Sequence, residues 1–288
     1  MPTTHNASLN AAIGRFYDQS TDLWMDVWGE HMHHGYYGPE GKAEVSDYQA
    51  QIDMIEEVLA WSDVGTPKRI LDVGCGVGGS SLYLAEKFGA EVVGITLSPV
   101  QAERAHARAE AAGLSDRVRF DVRDALDPGF EAESFDLVWS LESGEHMPEK
   151  PRFINTCIDL LEPGGRFILV TWCHRVTPPV LTGSEYKLLD QMYRAYHLPY
   201  IVSIEDYRVL AESAGLDEIK TADWSEAIAP FWWAVFRSAL SPKSVAGLIR
   251  SGPGTLKGAW AINTMIRGFR RGILRYGLLT GTKPEGAS

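Results

Sequence analysis

Ten residues constrain this chain more than any others: Ile70-Leu71-Asp72-Val73-Gly74-Cys75-Gly76-Val77-Gly78-Gly79. An apolar run that breaks into closely spaced glycines reads as a buried strand turning sharply into a helix. Glycine has no Cβ, so the backbone of such a turn passes close to a bound ligand. A nucleotide-like ligand follows. The turn alone does not say which one, because dinucleotide-binding proteins use Gly-x-Gly-x-x-Gly for the same purpose. A tight strand-to-helix turn without a ligand is the structural alternative.

From Lys68 onward, short apolar runs alternate with amphipathic stretches: RILDVG, a helix over 80–88, EVVGIT, a helix over 99–112, then RVRFDV. This is the βαβαβ rhythm of a parallel sheet covered on both faces. Ser98 before Pro99 is a helix N-cap followed by a first-turn proline, and Gly113 stands where a C-terminal glycine belongs. A fourth strand is expected over 135–140, a helix over about 148–161, and the turn Glu162-Pro163-Gly164-Gly165 before the strand RFILVTW. Further strands are expected in LDEIKTADW, after Gly215, and in the final apolar run GILRYGLLT. The expectation is one α/β domain over residues 1–288 with its core at about 45–174, 207–222 and 273–284. Residues 1–44, 175–206 and 223–272 break the rhythm and read as lid or cap additions.

The formal charge of −11 argues against nonspecific binding to nucleic acid. Its distribution is uneven. From Leu240 onward eight Lys and Arg face one acid, Glu285, so this tail is +7 and residues 1–239 carry −18. The tail interleaves Leu248, Ile249, Leu256, Trp260, Ile262, Met265, Ile266, Phe269, Ile273 and Leu274 with its cations. Helices of that kind lie at membrane surfaces, and a helical cover packed on the sheet is the alternative. No stretch approaches a membrane span, and MPTTHNASLN lacks the features of a signal or transit peptide. Cys75, Cys157 and Cys173 are too few and too scattered for a disulfide framework or structural zinc. The expected location is the cytoplasm, with peripheral contact at a membrane through the basic tail.

A nicotinamide-binding strand usually ends in an acid about 20 residues after the glycines, where it meets the ribose. This sequence has Thr96, in GITLSPVQ. The run DVGCGVGG resembles the first motif of class I methyltransferases, and ITLSPVQ is similar to cyclopropane synthases and some small-molecule methyltransferases. The resemblance implies S-adenosyl-L-methionine as cofactor, S-adenosyl-L-homocysteine as product, and no metal. It implies a Rossmann-like fold with a seven-stranded, mostly parallel sheet, helices on both faces and helical substrate-covering insertions. It places Thr96, Leu97 and Gln101 at the ribose and adenosine, and Asp124 with Ala125 at the adenine. Tyr36, Asp72, Gly74, Cys75, Gly76, Gly79 and Leu141 complete the implied cofactor contacts. Thr96 as a plain strand residue, Gln101 as a solvated helix residue and Asp124 as a loop cap are the structural alternatives.

The match narrows at FDLVWSLESGEHMPEK, WGEHMHHGYY, AQIDMIEE, LVTWCHR, ADWSEAIAPFW and TLKGA. These blocks run from about Tyr17 to Lys283 and resemble the γ-tocopherol C-methyltransferase family, with plant indole alkaloid N-methyltransferases as relatives. The resemblance implies methyl transfer to a small apolar aromatic acceptor: ring C-methylation of a tocopherol-like phenol, or N-methylation of an alkaloid-like acceptor. A nicotinamide oxidoreductase and a non-catalytic cofactor-binding protein are the readings from other classes. Departures from the family fall at Phe231-Trp232-Trp233 and at Ala195-Tyr196-His197-Leu198-Pro199, where an acceptor would be selected.

Methyl transfer from a sulfonium is an in-line displacement that needs positioning and, for a phenol, a base. Glu142 and His146, after the fourth strand, stand four apart and share one face if that loop coils. Glu145 lies between them, and a solvated turn is the alternative. His31, His33 and His34 with Tyr36 and Tyr37 form a second cluster, in a segment expected to fold over the cofactor. Glu142, His146 and His34 are the candidate catalytic residues. No carboxylate or Cys joins the histidines at a ligand spacing, so no metal site is expected. Tyr37, His174, Tyr196 and Trp232 are the candidate acceptor-pocket residues, with Trp24, Trp28, Trp224 and Trp233 as further aromatic lining.

Overall fold

The computed structural model describes residues 4–233 and 254–286, and their side chains outside 4–8, 22–24, 26–28 and 254–261. Leu248 and Ile249, and the side chains of Leu256, Trp260, Trp24 and Trp28, therefore lie outside what is described. Seven strands form one sheet in the order β3-β2-β1-β4-β5-β7-β6. They are β1 (Arg69–Val73), β2 (Glu91–Thr96), β3 (Val118–Val122), β4 (Phe135–Leu141), β5 (Leu161–His174), β6 (Asp217–Asp223) and β7 (Leu274–Thr282). β7 runs antiparallel to both β5 and β6, and the pairs among β1 to β5 are parallel. β1 and β4 read as near-continuous apolar runs because both of their faces are covered, and nearly every residue in them is buried.

The helices that cover this sheet are α2 (Asp47–Trp61), α3 (Gly79–Phe88), α4 (Pro99–Ala111), α5 (Lys150–Asp159), α6 (Gly183–Tyr196), α7 (Ile204–Ser213) and α8 (Gly254–Arg270). α1 (Thr4–Trp28) precedes them and crosses α4. Ser98 caps α4 through its hydroxyl, which accepts from the Gln101 amide at 3.1 Å, and Pro99 opens the helix. The expected turn at Pro163-Gly164-Gly165 lies inside β5. Phe135 pairs with Leu161 while Leu137 pairs with Arg166, so the extra residues bulge out of the ladder. Of the basic tail, Met265, Ile273 and Leu274 are buried, and Ile262, Ile266 and Phe269 pack against the same core. The described part of its apolar face is therefore turned inward.

Strand order reverses between β1 and β4, and a sheet of this kind opens a crevice beyond the carboxyl ends of its strands there. Two glycines make the crevice possible. Gly74 has φ +83°, and a Cβ on it would overlap the Ser143 side chain. Ser143 Oγ donates to the Val73 carbonyl at 2.5 Å and meets Ser140 Oγ at 2.8 Å, which ties the ends of β1 and β4 together. Gly76 has φ +53°, but a Cβ there would meet only Met32, 3.6 Å away. Gly74→Ala should therefore cost about 2–4 kcal/mol, from left-handed strain plus overpacking. Gly76→Ala should cost about 1–2 kcal/mol from strain alone. Urea unfolding of the two variants side by side checks the order.

Candidate active site

The crevice encloses about 990 Å³ of empty space, part of it open to solvent. That suits a nucleoside-sized ligand. Its floor is the turn after β1, with Asp72, Gly74, Cys75, Gly76 and Gly79. One wall comes from the end of β2, with Thr96, Leu97 and Gln101, and another from Asp124 and Ala125 after β3. Leu141, Glu142 and His146, at and beyond the end of β4, close the far side. Thr96 Oγ1 donates to Gln101 Oε1 at 2.7 Å, which fixes the amide as part of the wall. Asp124 caps its own loop by accepting from the Leu126 amide at 2.9 Å, and it also faces the cleft. Asp72 is buried, and burial pushes its carboxyl up to about 7 against the opposing bond from Ser81 Oγ at 2.6 Å.

α1 roofs the crevice, contributing Asn10, Ile13 and Tyr17. Asn10 donates to Asp124 at 2.7 Å and Ser98 Oγ donates to Asp18 at 2.5 Å, so the roof is pinned to the loops after β3 and β2. Tyr17 meets His146 Nε2 at 2.9 Å. Burial, then the charges of Glu145 and Glu142, push the Tyr17 phenol above its ordinary range, and burial lowers His146 to about 3. A protonated phenol beside a neutral imidazole makes Tyr17 the donor, and His146 Nδ1 is left without a partner.

Glu142 and His146 do not share a helical face. Glu142 stands at φ +55° before a single 3-10 turn, Gly144–His146, and points the other way. Its carboxylate accepts from the His34 backbone amide at 2.6 Å, His34 Nδ1 at 2.8 Å and the Tyr276 hydroxyl at 2.7 Å. Burial alone would raise this carboxyl, but the His34 ring and the bonds from His34 outweigh it and hold it below the usual range. Glu145 behaves oppositely. Burial, then the neighbouring Glu142 charge, push it up to about 8, and Thr171 Oγ1 donates to it at 2.8 Å.

With Nδ1–H committed to Glu142, the lone pair of His34 sits on Nε2, which is buried and has no partner. The ring lies in an aromatic box: Phe231 at 4.3 Å, Trp232 at 5.0 Å, Tyr276 at 5.3 Å and Trp172 at 5.9 Å between centroids. His33 repeats the pattern on the cleft side. Its Nδ1 bonds the His34 carbonyl at 2.9 Å, burial lowers its pKa, and its Nε2 is buried and unpartnered. Gln51 Nε2 holds this segment by donating to the carbonyls of His31 and His33.

Of the acceptor candidates, Trp232 belongs to this box, and Tyr196 packs edge-on against Trp172 at 5.3 Å. Three of the sequence candidates lie elsewhere. Tyr36 packs on Trp224 at 5.0 Å, the Tyr37 hydroxyl donates to Asp47 at 2.8 Å, and His174 lines a separate surface hollow with Asp223 and Arg275. Trp233 is exposed. Tyr17 and Tyr276 carry no signal in the sequence, since each gains its partner across more than a hundred residues. Among the described residues no group of His, Cys, Asp and Glu is arranged to hold a metal ion.

A methyltransferase-domain family model matches residues 70–165. Over 293 residues the chain is 47% identical to the chloroplastic tocopherol O-methyltransferase of Arabidopsis thaliana, covering 98% of this chain and 84% of that protein. The chain belongs to the tocopherol methyltransferase family. It is an S-adenosylmethionine-dependent methyltransferase. More distantly, it is 32% identical to the norajmaline N-methyltransferase of Rauvolfia serpentina, over 97% of this chain and 100% of that one. Among solved structures, the 4+2 cyclase SpnF superposes with a TM-score of 0.80 at 28% identity, covering 96% of this chain and 97% of that one. The glycine turn at Gly74–Gly79, the amide wall at Gln101 and the strand-end loops line a crevice that fits the cofactor this family uses.

A histidine kept neutral by burial titrates below its unfolded value of about 6.5. Its contribution is intact above that value and is lost as pH falls toward the folded pKa, about 3 for His146. Each such group removes about 1.4 kcal/mol of stability per pH unit across that window. The stability gap between the protein and its His146→Gln variant should therefore shrink as pH falls from 7 to about 4. Denaturant titrations at a series of pH values measure it.

Proposed function

We propose that the chain methylates a tocopherol-like chromanol at the ring carbon beside its phenolic hydroxyl, converting a γ-tocopherol-like acceptor to the α form. The observation that carries this reading is His34 Nε2, a free lone pair anchored through Glu142 inside an aromatic box. A phenol titrates near ~10, so ionising it at pH 7 costs about 4 kcal/mol. A base that takes this proton makes the ortho carbon nucleophilic and typically contributes about 10²- to 10⁴-fold. S-adenosylmethionine, when bound, supplies an electrophilic methyl group on its sulfonium. His34 accepts the phenolic proton at Nε2, and Glu142 holds the ring in the required tautomer and offsets the imidazolium charge. Trp172, Phe231 and Trp232 exclude water and stack the acceptor ring. A hydroxyl held by the base directs the methyl group to the adjacent carbon; the proton on that carbon is then lost to solvent, which restores the aromatic ring, and His34 returns the phenolic proton to the oxygen.

A second reading rests on the likeness to norajmaline N-methyltransferase: the same box would receive an apolar amine. Mass spectrometry with labelled methyl donor separates the two, given γ- and δ-tocopherol and a secondary-amine indole alkaloid. We expect the tocopherols to gain a ring methyl. A methyl ether, or turnover of the alkaloid alone, sinks the proposal. Glu142→Gln should lower kcat about 100-fold or more while S-adenosylhomocysteine affinity is retained. Tyr276→Phe keeps the carboxylate and should lower kcat less.

An apolar acceptor resides in a bilayer. We infer that the enzyme works from the aqueous, cytoplasmic side with peripheral membrane contact, and its net charge of −11 argues against a nucleic-acid partner. Among the described residues no helix is long and apolar enough to cross a membrane.

A further inference from the structure

The loop after β5 leaves five residues exposed in a row, Val176-Thr177-Pro178-Pro179-Val180, and the first turn of α6 adds exposed Tyr186. Val180 is 76% exposed, and Val176 and Tyr186 stand exposed beside it, so the tip presents an apolar group and not a single side chain. The backbone beneath this tip is not left to solvent. The Arg175 guanidinium donates to the carbonyls of Val176 at 3.2 Å, Pro179 at 2.6 Å and Val180 at 3.2 Å. It also forms a two-pronged pair with Glu185 at 2.8 and 3.0 Å. The two prolines have no amide hydrogen to satisfy. A segment entering a low-polarity phase must settle its backbone polar groups internally, and this loop has gone far toward that. A partner that paired with the loop as a strand would need those carbonyls free.

Charge favours the same occupant. Residues 175–196 and 254–275 carry eight basic side chains and two acids, in a chain whose net charge is −11. α8 lies against α6, where Gly268 faces Leu188, and the Arg175 amide donates to the Ile273 carbonyl at 2.9 Å, next to the end of α8. Lys187 on α6 and Arg267, Arg270 and Arg271 on and just after α8 are all exposed on these two packed helices. Among the described residues none of these four takes part in an ion pair. Leu181, at the loop's inner end, is buried in the same sheet-face core as Trp172, Tyr196 and Trp232.

We propose that Val176–Val180 with Tyr186 is a membrane-docking tip that enters the headgroup boundary of an anionic lipid surface, with Lys187, Arg267, Arg270 and Arg271 facing the headgroups. The tip, and not the inward-packed apolar residues within 262–274 of the tail, supplies the apolar contact, and Arg267, Arg270 and Arg271 supply cations. An acceptor leaving the bilayer at the tip meets Leu181 and then the aromatic box. The purpose of the device rests on the apolar-acceptor reading above. Binding to vesicles is measured without acceptor or cofactor, so the two readings fail separately.

The test uses the full chain and sedimentation with phosphatidylcholine vesicles, with and without phosphatidylglycerol. We expect binding to the anionic vesicles that weakens with salt. Val176→Glu with Val180→Glu should reduce partitioning at least about tenfold. The same variant should keep its thermal midpoint and its turnover of a water-soluble chromanol that lacks the prenyl tail. Arg270→Gln with Arg271→Gln should remove the preference for the anionic lipid. As a second readout, Val180→Cys can be labelled selectively, because Cys75, Cys157 and Cys173 are buried. A polarity-sensitive dye there should shift to the blue on vesicle addition. No sedimentation of the unmodified protein, equal sedimentation of the glutamate variant, or a dye that does not shift would each overturn the proposal.

Discussion

A carboxylate cut off from water persists only where donors meet its charge, and Glu142 is the place where this chain accepts that condition. β4 ends at Leu141, the next residue turns into the left-handed region, and the side chain is carried into the interior. There it is met by the backbone and ring of His34, from the segment after α1, and by the hydroxyl of Tyr276, from β7. Three parts of the chain far apart in sequence converge on one charge. Removing a partner from such a buried charge costs about 3–5 kcal/mol, so the path of residues 31–37 and the seating of β7 are fixed together.

That constraint also sets the chemistry. Because Glu142 accepts the Nδ1 proton of His34, the lone pair is assigned to Nε2, which has no hydrogen-bond partner among the surrounding rings. Because Glu142 is held ionised, its neighbour Glu145 is pushed up to about 8 and stays protonated near neutrality. Two carboxyls three residues apart thus separate into a charge that orients the His34 ring and a neutral acid that packs behind it. Tyr17 and His146 form a second, uncharged pair at the cleft wall, and α1 depends on it for part of its hold on the sheet.

What the sequence made legible follows the range of the interactions involved. The turn at Gly74–Gly79, the Ser98 cap and the wall of Thr96, Leu97 and Gln101 are local, each set by residues within one strand-turn-helix unit, and their spacing carries their geometry. The inference that Glu142 and His34 matter came from resemblance and from residue type. Their direct bond could not be read, since 108 residues separate them. The partnership of Glu142 with Tyr276 spans 134 residues, and nothing in GILRYGLLT marks that tyrosine over any other strand aromatic. Periodicity placed β5 correctly but read Pro163-Gly164-Gly165 as a turn before it, because proline and glycine signal a break whether the strand stops or bulges. Tyr36 and His174 carry suitable chemistry for a site, but local neighbours take them up before they reach it.

The same difference in range divides the two halves of the site. The cofactor wall is made almost wholly of strand-end loops that any sheet with this order must present at its reversal point. The proposed acceptor box is made of Trp172, Phe231, Trp232 and Tyr276 with His34 at its centre, drawn from the paired strands β5 and β7 and from inserted segments far apart in sequence. A tocopherol methyltransferase at 47% identity and an alkaloid N-methyltransferase at 32% are both aligned with nearly the whole of this chain. That pattern is what a fixed donor site beside an adjustable acceptor box would leave. On the proposed reading, substrate choice would rest on Phe231, Trp232 and their neighbours, while Gly74 stays bound to a left-handed turn whose Cβ space the Ser143 side chain already fills.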